Sequence, residues 1–466
     1  MKRIWLALIL CNIWVMTCAQ TVSEKTNSAV QSLLKDEQMK HALMALYIVE
    51  TKTGRPVYAL NEETGVAPAS TQKVITSTAA LSLLSENYQY STEVFYDGNI
   101  EQGILNGSLH IVGHGDPTLG SWRFKGRKEN DFIDTVIATL KAKGVKSVSG
   151  GIYCHNGDFE TQTLPGGWIW DDIGNYYGAG IAALNWHENQ YDLYLKPGKN
   201  VGDSVGIIKT QPALYNVHLT SEATTGSAGS GDNGFIYLPP YANEGFVRGT
   251  VPAGSSTFTI SGSIPDPAMC LALFVAEQLR KNNIEVSGAA QVTKSQSPGS
   301  SIGQKLLSYY SPSLDSIVYH FLQKSINLYG EALLKTMAYI KDGKGSTEKG
   351  IELLQQFWKE RGIDKDALNI LDGSGLSPQN RVSAKALVSV LQYAKDQSWF
   401  KSFYAGLPLY NNMKMKSGSI GGSRAFTGYH TSKQGTQYTF AIVINNYSGS
   451  SSAIVQKMYK VLNQIL

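Results

Sequence analysis

The chain has 466 residues, of which 42% are hydrophobic, and a formal net charge of +4. At about 150 residues per domain, that length holds two or three domains with room for a large core. The near-balanced charge excludes the dense basic face of a nucleic-acid binder, and no H-E-x-x-H pair supports a zinc hydrolase.

Lys2 and Arg3 precede the apolar run "IWLALILCNIWVM", and Thr17 and Ala19 stand at the two selective positions before Gln20. This predicts a signal peptide over 1–19 and an exported, periplasmic protein. The run is too short for a membrane span of about 20 residues, so no integral span is expected in the mature chain. Cys18 offers an alternative, a lipoprotein formed by cleavage before that cysteine. Beyond the leader only Cys154 and Cys270 remain. Two cysteines cannot build a thiolate metal cage; they are two buried free thiols, the preferred reading, or one disulfide.

"ALYIVE" and "RPVYALN" read as two strands joined by the turn "TKTG". "STQKVITSTAALSLL" follows, a helix apolar nearly all round and therefore a core helix. From about Tyr90 to Val292 short β-like runs alternate with Gly, Pro, Asn and Asp, and one obvious helix, "PAMCLALFVAEQLRKNN", comes near the end. "TSEATTGSAGSGDNG" reads as a small-residue loop and "SQSPGSSIG" as a linker. After Gln304 helices dominate, until "YHTSKQGTQYTFAIVINNY" gives a strand hairpin and "SSAIVQKMYKVLNQIL" a last helix. The expected architecture is one α/β (α+β) domain split in the chain. Its parts are 20–93 and 296–466, with a β-rich insertion over 94–295 and a sub-domain near 195–255.

Ser70 and Lys73 stand at i and i+3, on one helix face. A serine hydroxyl is a weak nucleophile that needs a neighbouring base, and burial favours the neutral amine of a lysine. The S-x-x-K pattern is not specific, since Ser32, Ser346 and Ser398 also precede a lysine by three. Ser70 is singled out because it follows Pro68-Ala69 and opens the apolar helix. A second element is Ser325-Ile326-Asn327, whose hydroxyl and amide share no face of a regular helix but can converge on one cleft from a loop or a helix junction. A third is Lys416-Ser417-Gly418-Ser419: a cation for a carboxylate, two hydroxyls, and a glycine that lets another backbone approach. Lys52-Thr53-Gly54 fits the third pattern as well, and reads as a hairpin turn.

S-x-x-K, S-x-N and K-[ST]-G in that order form the signature of penicillin-recognising serine enzymes. "GHGDPTLG" (113–120), "LDGSGLSPQNRVSA" (371–384) and the long gap from Ser70 to Ser325 narrow the likeness. The chain resembles the D-alanyl-D-alanine carboxypeptidase/endopeptidase family of penicillin-binding protein 4 type. The resemblance implies a β-lactamase/transpeptidase-like catalytic domain that acts on peptidoglycan peptides without a metal or other cofactor, with β-lactam antibiotics as covalent inhibitors. It implies Ser70 as nucleophile, Lys73 as base, and Ser325 and Asn327 as the proton network. Lys416 and Ser417 would hold the terminal carboxylate, beside Gly418. The backbone N–H groups of Ser70 and Ser419 would form the oxyanion hole, and Asp172 would bind the free amine of the peptide's diamino acid. Asp372 and Ser374 are expected to shape a loop behind the site, as turn residues. Ile326 and Ser417 stand where the family often has Asp and Thr; Ile326 is expected to point away from the site. The alternatives are a β-lactamase, disfavoured because no dedicated glutamate base is visible, and a non-catalytic peptidoglycan-binding protein on the same fold.

Overall fold

The computed structural model describes residues 21–294 and 302–466. The predicted leader with Cys18, and most of the predicted linker, lie outside the described residues.

A helix with no strong signal in the sequence comes first. It is α1 (Val22–Leu34), started by a reciprocal cap in which the Glu24 N–H donates to Thr21 Oγ1 and the Thr21 N–H to Glu24 Oε2. β1 (Leu43–Glu50) and β2 (Pro56–Leu60) pair antiparallel around the Lys52-Thr53-Gly54 turn, as predicted. A 3-10 turn over Ala69–Gln72 leads into α2 (Lys73–Leu84), whose residues from Lys73 to Leu81 are all buried.

After the inserted region the chain returns with α3 (Leu314–Lys324), α4 (Asn327–Asp342), α5 (Thr347–Lys359), α6 (Ala384–Ala394) and α7 (Phe400–Gly406). Ser346 caps α5 through the Lys349 N–H. Then come β3 (Leu409–Tyr410), β4 (Met413–Ile420), β5 (Ser423–Thr431), β6 (Gln437–Asn445) and α8 (Ser451–Leu462). The sheet order is β2-β1-β6-β5-β4-β3. β6 is flanked on both sides, which explains its continuous apolar sequence. Its side chains alternate. Phe440, Ile442 and Ile444 face a core shared with α1 and α8, while Ala441 and Val443 face a core shared with α2, α4 and α6. The result is helices on both faces of one sheet, the predicted α/β architecture, with the first strands and the last contributed from the two ends of the chain.

The inserted region is β-rich, as its turn-dense sequence suggests. Ser91–Tyr96, Leu109–Gly113, Ile152–His155 and Ala290–Thr293 join Gln304–Tyr310 in a five-stranded sheet. Three smaller sheets occupy segments between 99 and 286. Two long helices pack on them, the predicted Pro267–Lys281 and a second, Glu129–Ala142, that the turn-dense texture of this stretch conceals; a single helical turn, Trp170–Ile173, packs beside the strand Asn233–Tyr237. In Glu129–Ala142 the buried Phe132, Ile133, Val136, Ile137 and Leu140 do carry helical spacing. The segment predicted as a loop over 220–234 holds the short strand Thr224–Gly226. Cys154 and Cys270 are free and buried, and burial pushes both thiols well above their usual range. His110 and His114 stand four apart on or beside a strand, and among the described residues no cluster could hold a metal ion. No helix among them is long and apolar enough to cross a membrane.

Candidate active site

Ser70 lies in the 3-10 turn rather than in the first turn of the α-helix. Positions i and i+3 eclipse in a 3-10 helix, so the turn sets Ser70 directly over Lys73. Ala69, just before the serine, takes a left-handed conformation at φ 47. That is unusual for a residue with a Cβ and marks a backbone held in place by its surroundings. Two elements do the holding. Gly375 (φ 82) packs so tightly on the Ala69 carbonyl that a Cβ there would collide with it. On the other side a Cβ at Gly418 would come within 2.6 Å of the Pro68 carbonyl oxygen and 3.0 Å of the Thr71 nitrogen. The glycine of the third motif therefore lets β4 lie against the serine turn.

Lys73 is fully buried. Its Nζ lies 2.9 Å from Ser70 Oγ, 2.7 Å from Asn327 Oδ1 and 2.7 Å from the Ser374 carbonyl oxygen. Asn327 Nδ2 donates to the Tyr177 carbonyl at 2.8 Å, which orients the amide oxygen toward the lysine. Two of the three neighbours of Nζ are carbonyl oxygens that can only accept. A neutral amine has two N–H bonds for them and one lone pair left, directed at the Ser70 hydroxyl. Burial supports that state. It lowers the Lys73 pKa from 10.5 to about 7, against the opposing charges of Asp372 and Glu331.

The second motif is placed by a break between helices. α3 ends at Ser325 in the left-handed conformation, and Ile326 turns the chain into α4, which opens with Asn327. Ile326 packs on the central core, away from the site, as expected. Ser325 and Asn327 line one cavity of about 550 Å³ with Ser70, Ser419, Tyr177 and Asp172. In the third motif Ser419 is exposed at the cavity and Ser417 is half-buried, but Lys416 is buried. Lys416 Nζ donates to the Ser417 carbonyl at 2.7 Å. Burial holds its ammonium well below its usual range, and the charge of Lys73 adds to this. Asp172 is half-buried. Burial, then the neighbouring Asp171, raises its pKa to about 6, against a hydrogen bond from Tyr177. The decoy Lys52 lines a separate cavity of about 620 Å³ with Lys395 and Tyr429, at the β1–β2 turn, which holds no other motif residue.

The Asp372 loop does more than form a turn. Asp372 is fully buried and accepts from the Gly375 and Ser377 N–H groups, Asn380 Nδ2, Gln72 Nε2 and Trp168 Nε1. It ties the serine turn to the inserted region. Ser374 contributes its carbonyl to Lys73, a role its side chain could not announce. Glu331, one turn beyond Asn327 on α4, is fully buried behind this loop, and no motif points to it. Its only signal in the sequence is a charged residue at i+4 from a motif amide in an otherwise buried helix.

The sheet flanked by helices, together with a buried lysine on a serine and amides and hydroxyls from two other segments, defines a serine peptidase of the penicillin-recognising class. The chain belongs to the D-Ala-D-Ala carboxypeptidase 3 (S13) family, whose pattern matches residues 26–465. It is 27% identical over 456 residues to a D-alanyl-D-alanine carboxypeptidase of Actinomadura sp. (strain R39), covering 92% of this chain and 82% of that protein. It is 27% identical over 408 residues to D-alanyl-D-alanine carboxypeptidase DacB of Haemophilus influenzae, covering 83% and 82%. The fold is similar to the crystal structure of penicillin-binding protein 4 from Haemophilus influenzae. The TM-score is 0.80 at 23% identity, with 94% of this chain and 98% of that one covered.

Proposed function

We propose that the chain is an exported serine DD-peptidase that cleaves D-Ala-D-Ala carboxypeptide bonds, and D-Ala cross-link bonds, of peptidoglycan through a Ser70 acyl-enzyme. β-Lactams acylate the same hydroxyl. The observation that carries this reading is the Lys73 amine, buried and held by two acceptors so that its lone pair faces Ser70 Oγ at 2.9 Å.

In the first step the Ser70 proton passes to Lys73 Nζ as Oγ bonds the carbonyl carbon of the penultimate D-Ala. The backbone N–H groups of Ser70 and Ser419 receive the developing oxyanion. The tetrahedral centre then collapses. The C–N bond breaks, and the leaving amine takes a proton delivered through the Ser325 hydroxyl, from the Lys73 ammonium. Water attacks the ester, gives its proton back to this network, and Ser70 leaves as the hydroxyl. Lys416 and Ser417 hold the terminal carboxylate, whose negative charge favours the ammonium form that burial opposes. Asp172 pairs with the amine of the diamino acid at the far side of the cavity. Carboxypeptidase and endopeptidase action share every step and differ in the leaving amine. A β-lactamase reading gains nothing from the cavity, where Asp172 is the one acid among the lining residues and is assigned to the substrate.

Mature protein incubated with pentapeptide, with cross-linked muropeptides and with a labelled penicillin tests the reading. Release of D-Ala, a stable penicillin adduct on Ser70, and loss of both in Ser70→Ala are expected. Intact substrates and no adduct sink it; rapid penicillin turnover moves the assignment to a β-lactamase.

A further inference from the structure

α4 carries three buried polar side chains at four-residue spacing, Asn327, Glu331 and Lys335, on one face. Asn327 belongs to the site. Lys335 pairs with Glu160 at 3.1 Å and donates to the Gln162 carbonyl, both in the inserted region. Glu331 lies between them. It does not line the cavity that holds Ser70, and the acyl-transfer steps do not use it. A buried carboxyl is costly unless it is bonded, so its position asks for a reason.

Its partner is the Gly373 N–H, 2.9 and 3.2 Å from its two oxygens. The same peptide segment is gripped from α2, where Thr76 Oγ1 donates to the Gly373 carbonyl at 2.7 Å. Gly373 lies against Gly330 on α4, backbone to backbone, and a Cβ at Gly373 would collide with the Gly330 carbonyl. The next carbonyl, that of Ser374, is the one that accepts from Lys73. Glu331, Gly373, Ser374 and Lys73 thus form a short rigid path.

We propose that Glu331 is a positioning residue for the serine–lysine pair: its carboxyl clamps the Gly373 peptide, so that the Ser374 carbonyl holds the Lys73 amine against Ser70. The clamp also sets the local charge. Burial, and then the charge of Asp372, raise the pKa of Glu331; the bond from the Gly373 N–H, the nearby Ser374 hydroxyl and the charge of Lys73 oppose them. Lys335, one turn along, also feels the Glu331 charge. The pKa of Glu331, raised to about 8, lies above the value of about 7 for Lys73, so the carboxyl is neutral where Lys73 titrates and leaves the amine free to accept the serine proton. The inference rests on the peptidase reading only for the meaning of the reaction; the Lys73 effect is independent of it.

The test uses the mature protein with Glu331→Gln and Glu331→Ala, and two readouts. Lysine-13Cε NMR titration reads the Lys73 pKa with no substrate present. The second-order rate of acylation by a fluorescent penicillin, followed across pH, reads the pair at work. Gln accepts from the Gly373 N–H but carries no charge. It stands in for the neutral carboxyl and is expected to keep the maximal rate within about threefold, with the Lys73 pKa and the acid limb of the profile close to wild type. Ala loses the clamp and is expected to acylate at least about tenfold more slowly, with Gln as the conservative rescue. Ala also frees the Ser374 carbonyl, so its Lys73 titration is expected to move to lower pH; an unshifted titration, or a wild-type rate, in a folded Glu331→Ala overturns the proposal. A wild-type enzyme that takes no penicillin overturns the peptidase reading instead, and the NMR titration still decides on Glu331. Should Glu331→Ala fail to fold, Glu331→Met, which fills the space but accepts no hydrogen bond, takes its place with the same two outcomes.

Discussion

Asn327 Oδ1 lies 2.7 Å from Lys73 Nζ, while Nδ2 of the same amide donates to the Tyr177 carbonyl at 2.8 Å. One side chain therefore orients the Lys73 amine and anchors it to the inserted region. Asn327→Ala removes both bonds and leaves the Tyr177 carbonyl without this donor. Acylation by penicillin is expected to fall on the order of 10²-fold, the scale of a lost acid–base partner. Asn327→Asp adds a charge that favours the ammonium form of Lys73, so its acid limb should move to higher pH. Stopped-flow acylation against pH measures both, and a wild-type profile in Asn327→Asp contradicts the contact.

The pH dependence of the wild-type reaction follows from Lys73. Its folded pKa is lowered, from 10.5 to about 7, so the amine is neutral above that value and protonated below it. The base is available above about 7. The acylation rate should lose about tenfold per pH unit below it, with a single titration governing the acid limb. A rate that stays flat down to pH 5 would assign the proton to another group.

How much of this is legible before the fold differs by element. The sheet strands and α2 are readable because their apolar periods are strong and local. So are Ser70, Lys73, Ser325 and Asn327, because motif order carries them. What escapes is of two kinds. Glu129–Ala142 hides in a turn-dense stretch, where its charged residues weaken the helical pattern. Ser374 reaches Lys73 through its carbonyl and Glu331 grips the Gly373 N–H, while Asp372, read from the sequence only as a turn residue behind the site, also gathers side-chain donors from Gln72, Trp168 and Asn380. Nearly every residue type offers a backbone N–H and carbonyl, so no pattern of side chains reveals which of them is used. The 3-10 turn at Ser70 escapes for a related reason, since tertiary contacts from Gly375 and Gly418 shape it.

Gly418 tests that packing. Its neighbours in Gly418→Ala are backbone atoms of Pro68 and Thr71 and the Cβ of Ala69 at 3.1 Å, and none is the free end of a side chain. β4 must then move away from the serine turn by a few tenths of an ångström or more. Ser419 moves with it, and the distance between Ser419 and Ser70 changes. Acylation is expected to drop by about 10²-fold, the cost of a small misplacement, with little change in melting temperature. Equal rates for Gly418→Ala and wild type would mean that the strand is not held by this contact.

On the proposed reading, Asp172 separates substrate recognition from chemistry. It lies in the cavity with Ser70 but contacts neither Lys73 nor Asn327 directly, so its removal should leave penicillin acylation near the wild-type rate. Its pKa is raised to about 6 by burial and by Asp171. A carboxylate that pairs with a substrate amine works only when ionised, which here means above about pH 6. KM for a peptide with a free diamino-acid amine should therefore rise as pH falls through 6, and the N-acetylated peptide should show no such rise. Asp172→Asn should raise KM for the free-amine peptide at pH 7.5 by roughly 10-fold, the weight of one half-buried charge pair, and leave the acetylated peptide unaffected. Steady-state kinetics on the two peptides at several pH values measures this, and equal KM shifts for both would remove Asp172 from substrate binding.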